Sequence, residues 1–178
     1  MITKKMKFNF VRVSVYIFSI IFLSILFVGL FKDYNYDTKS LIGNKVSNFE
    51  LTSLYNTNVK IINNDLVKND YTLINFFASW CYPCRKEHKY LLKLSEEKKI
   101  KILGINFKDK KTYAINFLKE LGNPYDLTAM DKDGSISVKF GVYGIPESIL
   151  INKEQIIIKK FVGPIDKIQY AELVKMIN

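Results

Sequence analysis

The chain begins with a long apolar segment that differs from everything after it. Residues 13–31 read VSVYIFSIIFLSILFVGLF and contain no charged side chain. As an α-helix with a rise of about 1.5 Å per residue, this segment is about 28 Å long, close to the hydrocarbon thickness of a bilayer. The pattern therefore predicts one N-terminal transmembrane helix.

The residues before this segment predict its orientation. They carry three lysines and one arginine but no acid, and the positive-inside rule then places the N-terminus in the cytoplasm and the rest of the chain across the membrane. A cleaved signal peptide is the alternative, although the apolar run is long for one and no A-x-A-like site follows it. The expected parts are a cytoplasmic N-terminus (1–12), an anchor (13–31), a tether (32–42) and one folded domain (43–178).

Beyond the tether, apolar positions recur with two different periods. Short runs rich in β-branched and aromatic residues predict buried strands, and apolar positions three or four apart predict amphipathic helices. The segments predicted as strands are 59–62, 71–78, 100–107, 125–130, 148–151 and 155–162. The segments predicted as helices are 81–99, 112–121, 135–140 and 166–177. Strands alternate with helices early and form a hairpin late, so we expect an α/β fold with a mixed central sheet flanked by helices.

The composition is consistent with a protein core that needs no covalent staples. Hydrophobic residues make up 48% of the 178 residues, which is enough for one domain of ordinary size. The formal net charge is +10. The lysines are scattered, however, and form no basic stripe with interleaved aromatic residues. We therefore expect no nucleic-acid partner.

The chain has two cysteines, and both belong to one short motif. Cys81 and Cys84 directly follow the predicted strand 71–78 and open the predicted helix 81–99. A helix N-terminus stabilises a thiolate. Pro83 suits the first turn because its missing N–H would have no intrahelical partner there. We expect Cys81 to be the exposed attacking nucleophile and Cys84 the shielded resolving thiol of a dithiol–disulfide exchange site.

Other uses of the two thiols fit the sequence less well. Haem attachment needs a CxxCH motif, and Arg85 occupies the place of the histidine. A structural zinc site needs four ligands, whereas the chain offers Cys81, Cys84 and its single histidine, His88. A purely structural disulfide over so short a loop would remove little entropy from the unfolded chain. A copper-binding module built from these same three residues remains an open alternative.

Residues next to the cysteines suggest further roles. Glu87 lies one helical turn after Cys84 and could accept the proton that Cys84 must lose before it attacks, although a solvated surface acid is the other interpretation. Trp80 could shield the nucleophile or serve ordinary packing. We expect His88 to be a partly buried, hydrogen-bonded histidine and Arg85 to be a surface charge that tunes the nucleophile.

Motifs spread over residues 43–165 point to one family. In chain order they are GNKVSNFEL, INFFASWCYPCRKEH, GINFKD, FLKELGNPYD and FGVYGIPESILI. A single CxxC motif is weakly specific, but the combination is strongly so. The chain resembles the thioredoxin superfamily in its membrane-tethered branch, and most closely the CcmG/DsbE thiol–disulfide interchange proteins of cytochrome c maturation.

The resemblance implies roles for particular residues. Pro146 is expected to be a cis-proline that faces the cysteines, and Glu87 and Glu147 are expected to form an acidic active site. Asn75 stands where many thioredoxins carry a buried aspartate. An amide cannot act as a base, which favours Glu87 as the proton acceptor. The residues expected to line the partner groove are Trp80, Tyr82, Pro83, Ile145 and Glu147.

The resemblance also implies partners and a location. The expected substrate is apocytochrome c or a CxxC carrier protein that holds it, and the expected electron donor is a membrane protein of the DsbD/CcdA type. The catalytic domain is expected in the periplasm, on a single-pass anchor in the bacterial inner membrane. No cofactor is expected besides the redox-active Cys81–Cys84 disulfide, and no metal. A general envelope thioredoxin-like reductase remains an alternative.

Overall fold

The computed structural model describes residues 2–30, 41–66 and 69–178. The chain divides into two compact units, Met1–Asp37 and Thr38–Asn178. The apolar N-terminal segment belongs to the first unit, and both cysteines belong to the second.

The first unit contains one long helix, α1 (Ile2–Leu30). Its segment Phe10–Leu30 is the one stretch, among the residues that the structure describes, long and apolar enough to cross a membrane. The anchor predicted over 13–31 lies on this helix, except for Phe31, which falls outside the described residues. Residues 32–40 of the predicted tether also fall outside them.

The second unit is built on a mixed sheet. Over its described residues, seven strands pair in the order β2-β1-β5-β4-β3-β6-β7. The strands are β1 (Glu50–Ser53), β2 (Lys60–Ile62), β3 (Tyr71–Phe77), β4 (Ile100–Phe107), β5 (Leu127–Asp131), β6 (Glu147–Asn152) and β7 (Ile157–Val162). The central pairs β3–β4 and β4–β5 are parallel, and the outer pairs are antiparallel. The predicted mixed sheet is confirmed.

Helices cover both faces of this sheet. They are α2 (Tyr82–Leu94), α3 (Lys111–Leu121), α4 (Ser135–Lys139) and α5 (Lys167–Ile177). Along β3, Leu73 and Phe77 pack into the apolar cluster that includes α2, α3 and α5, while Ile74 and Phe76 pack into the cluster that includes α4. Successive side chains of a strand point to opposite faces, so a strand covered on both sides is a continuous apolar run.

Strand pairing determines where the cysteines lie. β3 ends at Phe77, and the cysteine-bearing helix α2 starts a few residues later at Tyr82. Because β3 and β6 are antiparallel, with Phe76 opposite Glu147, the end of β3 lies beside the start of β6. The segment that contains Pro146 is therefore brought to the same end of the sheet as the two cysteines.

Two predicted elements end or begin elsewhere. The helix predicted over 81–99 stops at Leu94. Beyond Ser95, the N–H groups of Glu96 and Glu97 donate to carbonyls three residues back, at 3.3 and 3.1 Å, instead of four. The Ser95 hydroxyl donates to the Leu92 carbonyl at 2.7 Å. The strand predicted from residue 125 begins at Leu127. The backbone of Tyr125 lies outside the β4–β5 ladder, and its side chain is buried in the apolar core.

Candidate active site

The two cysteines form a disulfide at the start of α2. Cys81 is the N-cap residue, and its sulfur accepts a hydrogen bond from the backbone N–H of Cys84 at 3.2 Å. Pro83 lies in the first turn of the helix. The first sulfur thus occupies the helix N-terminus, where unpaired N–H groups stabilise negative charge on a thiolate.

The exposure expected for Cys81 is wrong for this disulfide form. Cys81 is 3% exposed and Cys84 is 1% exposed. Both belong to the apolar cluster beneath α2, and Ile145 packs against that cluster. A disulfide carries no charge, so it can be buried among apolar side chains without penalty. The predicted difference in exposure between Cys81 and Cys84 is therefore absent in this form.

The bond between Ile145 and Pro146 is cis. Pro146 is buried and directly precedes β6. Ile145 is half-buried and packs against the cluster that contains both cysteines. The cis bond is the one that the resemblance implied, while the expectations that Pro146 faces the cysteines and that Ile145 lines the partner groove stay predictions.

Exposed aromatic side chains lie in the two segments that carry the cysteines and the cis-proline. Trp80 is 60% exposed and donates its indole N–H to the Lys108 carbonyl at 3.3 Å, so it does not serve core packing. Tyr82 is exposed beside Pro83. Tyr143, in the segment before the cis-proline, is also exposed, although no role was predicted for it. These side chains offer apolar contact area to a partner.

Glu87 is fully buried, which excludes the solvated surface acid. One carboxylate oxygen accepts the Asn75 amide N–H at 2.9 Å, and the other accepts the Ile165 backbone N–H at 2.8 Å. Burial raises the pKa of the Glu87 carboxyl to about 7, and the two hydrogen bonds oppose that shift. A carboxyl that titrates near neutral pH one helical turn after Cys84 suits proton transfer.

Glu147 does not line a groove, contrary to the prediction. It is 1% exposed. One carboxylate oxygen accepts the backbone N–H groups of Tyr143 and Gly144 at 2.9 and 3.1 Å, and the other lies 2.8 Å from the Lys160 ammonium. That ammonium also donates to the Gly141 carbonyl. Buried charges are kept where they are paired, and this pair holds the segment that leads to the cis-proline.

His88 is buried, as predicted, and its Nε2 atom lies 2.9 Å from the Gly122 carbonyl. Burial lowers the pKa of the imidazole, and that hydrogen bond opposes the shift. Because a carbonyl can only accept, Nε2 carries the proton and is not available to a metal. Arg85 forms a bidentate pair with Glu120 at 2.8 and 3.1 Å. Its charge is therefore directed to α3 and not, as predicted, to Cys81.

Sequence reasoning missed the role of Asp109. Its carboxylate accepts the Ser79 backbone N–H at 2.7 Å and the Ser79 hydroxyl at 3.0 Å. This ties the loop before the cysteines to the loop after β4. The sequence contained a sign of this role, because Asp109 comes two residues after the strand β4. The carboxyl ends of parallel strands form the edge of the sheet at which ligand and active sites lie.

A cysteine pair at a helix start, beside a cis-proline and at one end of a mixed sheet, is the arrangement found in thioredoxin-fold proteins. In that class the pair alternates between dithiol and disulfide, and electrons pass to or from a second protein by thiol–disulfide exchange. The fold and the site thus define the class of this protein.

Comparisons with known proteins agree. The Redoxin family model matches residues 41–177. The thiol:disulfide interchange protein CycY of Rhizobium leguminosarum is 45% identical over 106 residues, which are 60% of this chain and 57% of CycY. The thiol:disulfide interchange protein DsbE of Escherichia coli is 40% identical over 136 residues, which are 76% of this chain and 73% of DsbE.

A solved structure shows the same fold. The thioredoxin domain of a thiol-disulfide oxidoreductase from Bacteroides vulgatus superposes with a TM-score of 0.65 at 24% identity, over 77% of this chain and 98% of that domain. The match to CycY spans less than two thirds of the length of that relative. The chain belongs to the Redoxin family, and it is a thiol:disulfide oxidoreductase similar to the DsbE and CycY interchange proteins.

Proposed function

We propose that this protein reduces a disulfide of apocytochrome c, or of a CxxC carrier protein that holds it, during cytochrome c maturation. The observation that supports the proposal most is the Cys81–Cys84 pair at the N-terminus of α2 with the buried carboxyl of Glu87 one turn behind it. A reductant of partner disulfides needs an activated thiolate, a resolving thiol and a proton acceptor for that thiol.

The reaction starts from the reduced pair. The Cys81 thiolate attacks one sulfur of the partner disulfide, a mixed disulfide forms, and the other partner sulfur leaves as a thiolate and is protonated. Cys84 then gives its proton to the Glu87 carboxylate and attacks the sulfur of Cys81. The bond between Cys81 and the partner breaks, and the second partner sulfur leaves as a thiolate that takes up the proton held by Glu87. The Cys81–Cys84 disulfide has formed, two electrons have passed to the partner, and the partner is released with two thiols.

Exposed aromatic side chains support the proposal that a protein partner docks at this site. Trp80 and Tyr82, next to the cysteines in the chain, and Tyr143, shortly before the cis-proline, are all more than half exposed. Aromatic side chains contribute much of the binding energy at protein interfaces.

Location and electron supply complete the proposal. The apolar helix α1 anchors the chain in the bacterial inner membrane, with the basic N-terminus in the cytoplasm and the catalytic unit in the periplasm. The periplasm is oxidising, so a membrane electron donor of the DsbD/CcdA type must return the pair to the dithiol form after each turnover.

A trapping experiment tests the substrate. Full-length Cys84→Ser protein, expressed in cells that make c-type cytochromes, should accumulate a mixed disulfide through Cys81, and mass spectrometry should identify an apocytochrome c or a CxxC carrier. Cys81→Ser is the matched control and should capture nothing. A diverse set of envelope proteins would instead indicate a general reductase, and an empty trap would refute the proposal. Stoichiometric copper in the reduced wild-type protein, lost in His88→Ala, would replace it with a metal-binding function.

A further inference from the structure

A chain of buried polar groups lies between the sheet and α2, where the apolar pattern gave no reason to expect one. Its members come from five separate parts of the chain and are Asn75, Glu87, Tyr125, Ser148 and Ile165. Each is joined to another by a hydrogen bond of 3.0 Å or shorter. A buried network in which every polar group has a hydrogen-bond partner fixes one arrangement of the core, because leaving any of these groups unpaired costs stability.

Asn75 is the centre of this network. It lies in β3 and has no exposed surface. Its amide nitrogen has two hydrogens, which are donated to the Glu87 carboxylate at 2.9 Å and to the Ser148 hydroxyl oxygen at 3.0 Å. Its amide oxygen accepts the Tyr125 hydroxyl at 2.8 Å. Every hydrogen of the amide therefore has a partner, and the amide has one orientation.

The fold places the Tyr125 hydroxyl at this point. The ring of Tyr125 stacks on Phe77 with centroids 4.8 Å apart, and it lies directly over Gly104 of β4. A Cβ atom at Gly104 would stand 2.7 Å from the tyrosine ring. Only glycine leaves room for the ring there, so the approach of the hydroxyl to Asn75 depends on the residue in the neighbouring strand.

The orientation of the Asn75 amide decides which form of Glu87 it favours. Asn75 presents an N–H to the carboxylate and so favours the ionised acid. If the amide turned over, its oxygen would face Glu87, and only a protonated carboxyl could donate to it. The Tyr125 hydroxyl opposes that turn, because it would lose the amide oxygen to which it donates.

We propose that Tyr125 and Asn75 are positioning residues, which together hold Glu87 in its proton-accepting form so that Cys84 can be deprotonated near neutral pH. This inference rests on the proposed role of Glu87 in thiol–disulfide exchange. It does not depend on which protein is the physiological partner.

The groups that face Glu87 come from several neighbouring elements. β3 contributes the Asn75 amide, and the segment before α5 contributes the Ile165 backbone N–H. Through Asn75, the network extends to the Ser148 hydroxyl of β6 and to Tyr125. The titratable member of this set is Tyr125. Burial, and to a smaller extent the charge of Glu87, raises the pKa of its hydroxyl, which therefore stays a neutral donor at neutral pH.

The test is a pH profile with a small disulfide as the probe. Reduced full-length protein in detergent is mixed with oxidised glutathione, and the rate at which the Cys81–Cys84 disulfide forms is followed by the fluorescence of Trp80, the only tryptophan. Tyr125→Phe keeps the ring and removes only the hydroxyl. We expect the midpoint of the acid limb to move upward by about one pH unit, so that the rate below the midpoint falls about tenfold.

Controls separate this inference from the proposed function. Tyr113→Phe removes a hydroxyl from an exposed tyrosine and should leave the profile unchanged. The Cys81 thiolate gives an acid limb of its own, so Glu87→Gln should change the profile without abolishing that limb. If Glu87→Gln leaves the profile as in the wild type, the role of Glu87 in the proposed function is refuted as well. If Glu87→Gln changes the profile but Tyr125→Phe leaves the midpoint in place, only the positioning role is overturned.

A second variant and a second measurement keep the proposal testable if the Tyr125→Phe protein folds poorly. Asn75→Leu has nearly the same shape and removes the amide donor, so its midpoint should rise at least as far. In the oxidised wild-type and variant proteins, infrared titration of the protonated carboxyl band that is lost in Glu87→Gln should give the same order of midpoints. Equal midpoints in wild type and Asn75→Leu would refute the proposal.

Discussion

Glu87 and Glu147 are both buried glutamates, and they serve different purposes. Both Glu87 and Glu147 are at most 1% exposed. Glu147 has a cation beside it, the Lys160 ammonium at 2.8 Å. The hydrogen-bond donors to Glu87 are neutral groups, the Asn75 amide and the Ile165 N–H.

The presence or absence of a cation determines what each carboxyl can do. A buried carboxylate paired with an ammonium acts as a fixed structural tie, because removing either partner leaves an uncompensated buried charge. A buried carboxyl with neutral donors only can change protonation near neutral pH, because burial opposes its charge and nothing nearby neutralises it. Glu87, whose pKa is raised to about 7, is of this second kind.

The largest effect is expected from removing the cation of the fixed pair. Lys160→Met leaves the Glu147 carboxylate buried without its partner, and breaking such a pair costs about 3–5 kcal/mol of unfolding free energy. Urea denaturation of the full-length protein in detergent, followed by Trp80 fluorescence, measures the loss.

The neighbouring lysine supplies a matched control. Lys159 pairs with Glu172 at 2.7 Å, but both side chains are more than a third exposed. Lys159→Met should therefore lower the unfolding free energy by less than about 1 kcal/mol. The distinction between the two glutamates fails if Lys160→Met proves no more harmful than Lys159→Met.

The next effect is the pH dependence of stability that Glu87 contributes. Its pKa in the folded oxidised protein is about 7, above the ordinary 4.5, so the folded state binds more protons than the unfolded state between these values. The contribution is complete below pH 4.5 and is lost as the pH rises to about 7. It amounts to about 3 kcal/mol.

Glu87→Gln should remove that decline. At pH 8 the oxidised variant should be more stable than the wild type, and near pH 4 the two should agree more closely, as measured by urea denaturation at both pH values. The exposed acid Glu96 provides the control, since Glu96→Gln should follow the wild-type curve. An unchanged slope in Glu87→Gln would show that Glu87 is ionised throughout this range.

The smallest effect is expected at the surface. Glu120→Gln breaks the bidentate pair with Arg85, in which both side chains are at least a third exposed. The denaturation midpoint should shift far less than in Lys160→Met. The shift should also disappear in about 1 M salt, where the screening length is about 3 Å. A shift that resists salt would mean that this pair behaves like the buried one.

Much of the fold was readable from local patterns. The strand β3, the cysteine-bearing start of α2 and the β6–β7 hairpin were predicted because their periodicity, capping and turn signals lie within a few neighbouring residues. The length of α2 was overestimated, since its end depends on Ser95 and on the turn that leads into β4.

The site was predicted less completely. Both cysteines were identified as a redox pair from their position at a predicted helix start and from the family resemblance, and Glu87 as a nearby acid from its place one helical turn after Cys84. The sequence did not reveal that Cys81 is buried in the disulfide form, or that Glu147 points inward to Lys160. Exposure and pairing depend on which segments cover a residue, and those segments are distant in the chain.

By itself, the amino-acid sequence determined an apolar helix long enough to span a membrane and a sulfur at a helix N-terminus. Both follow from local composition and spacing. Only the tertiary structure decided that Glu87 meets Asn75 and Ile165, because these contacts join residues 12 and 78 positions apart. The packing that brings them together also removes water, and it is the loss of water that makes the carboxyl titrate near neutral pH.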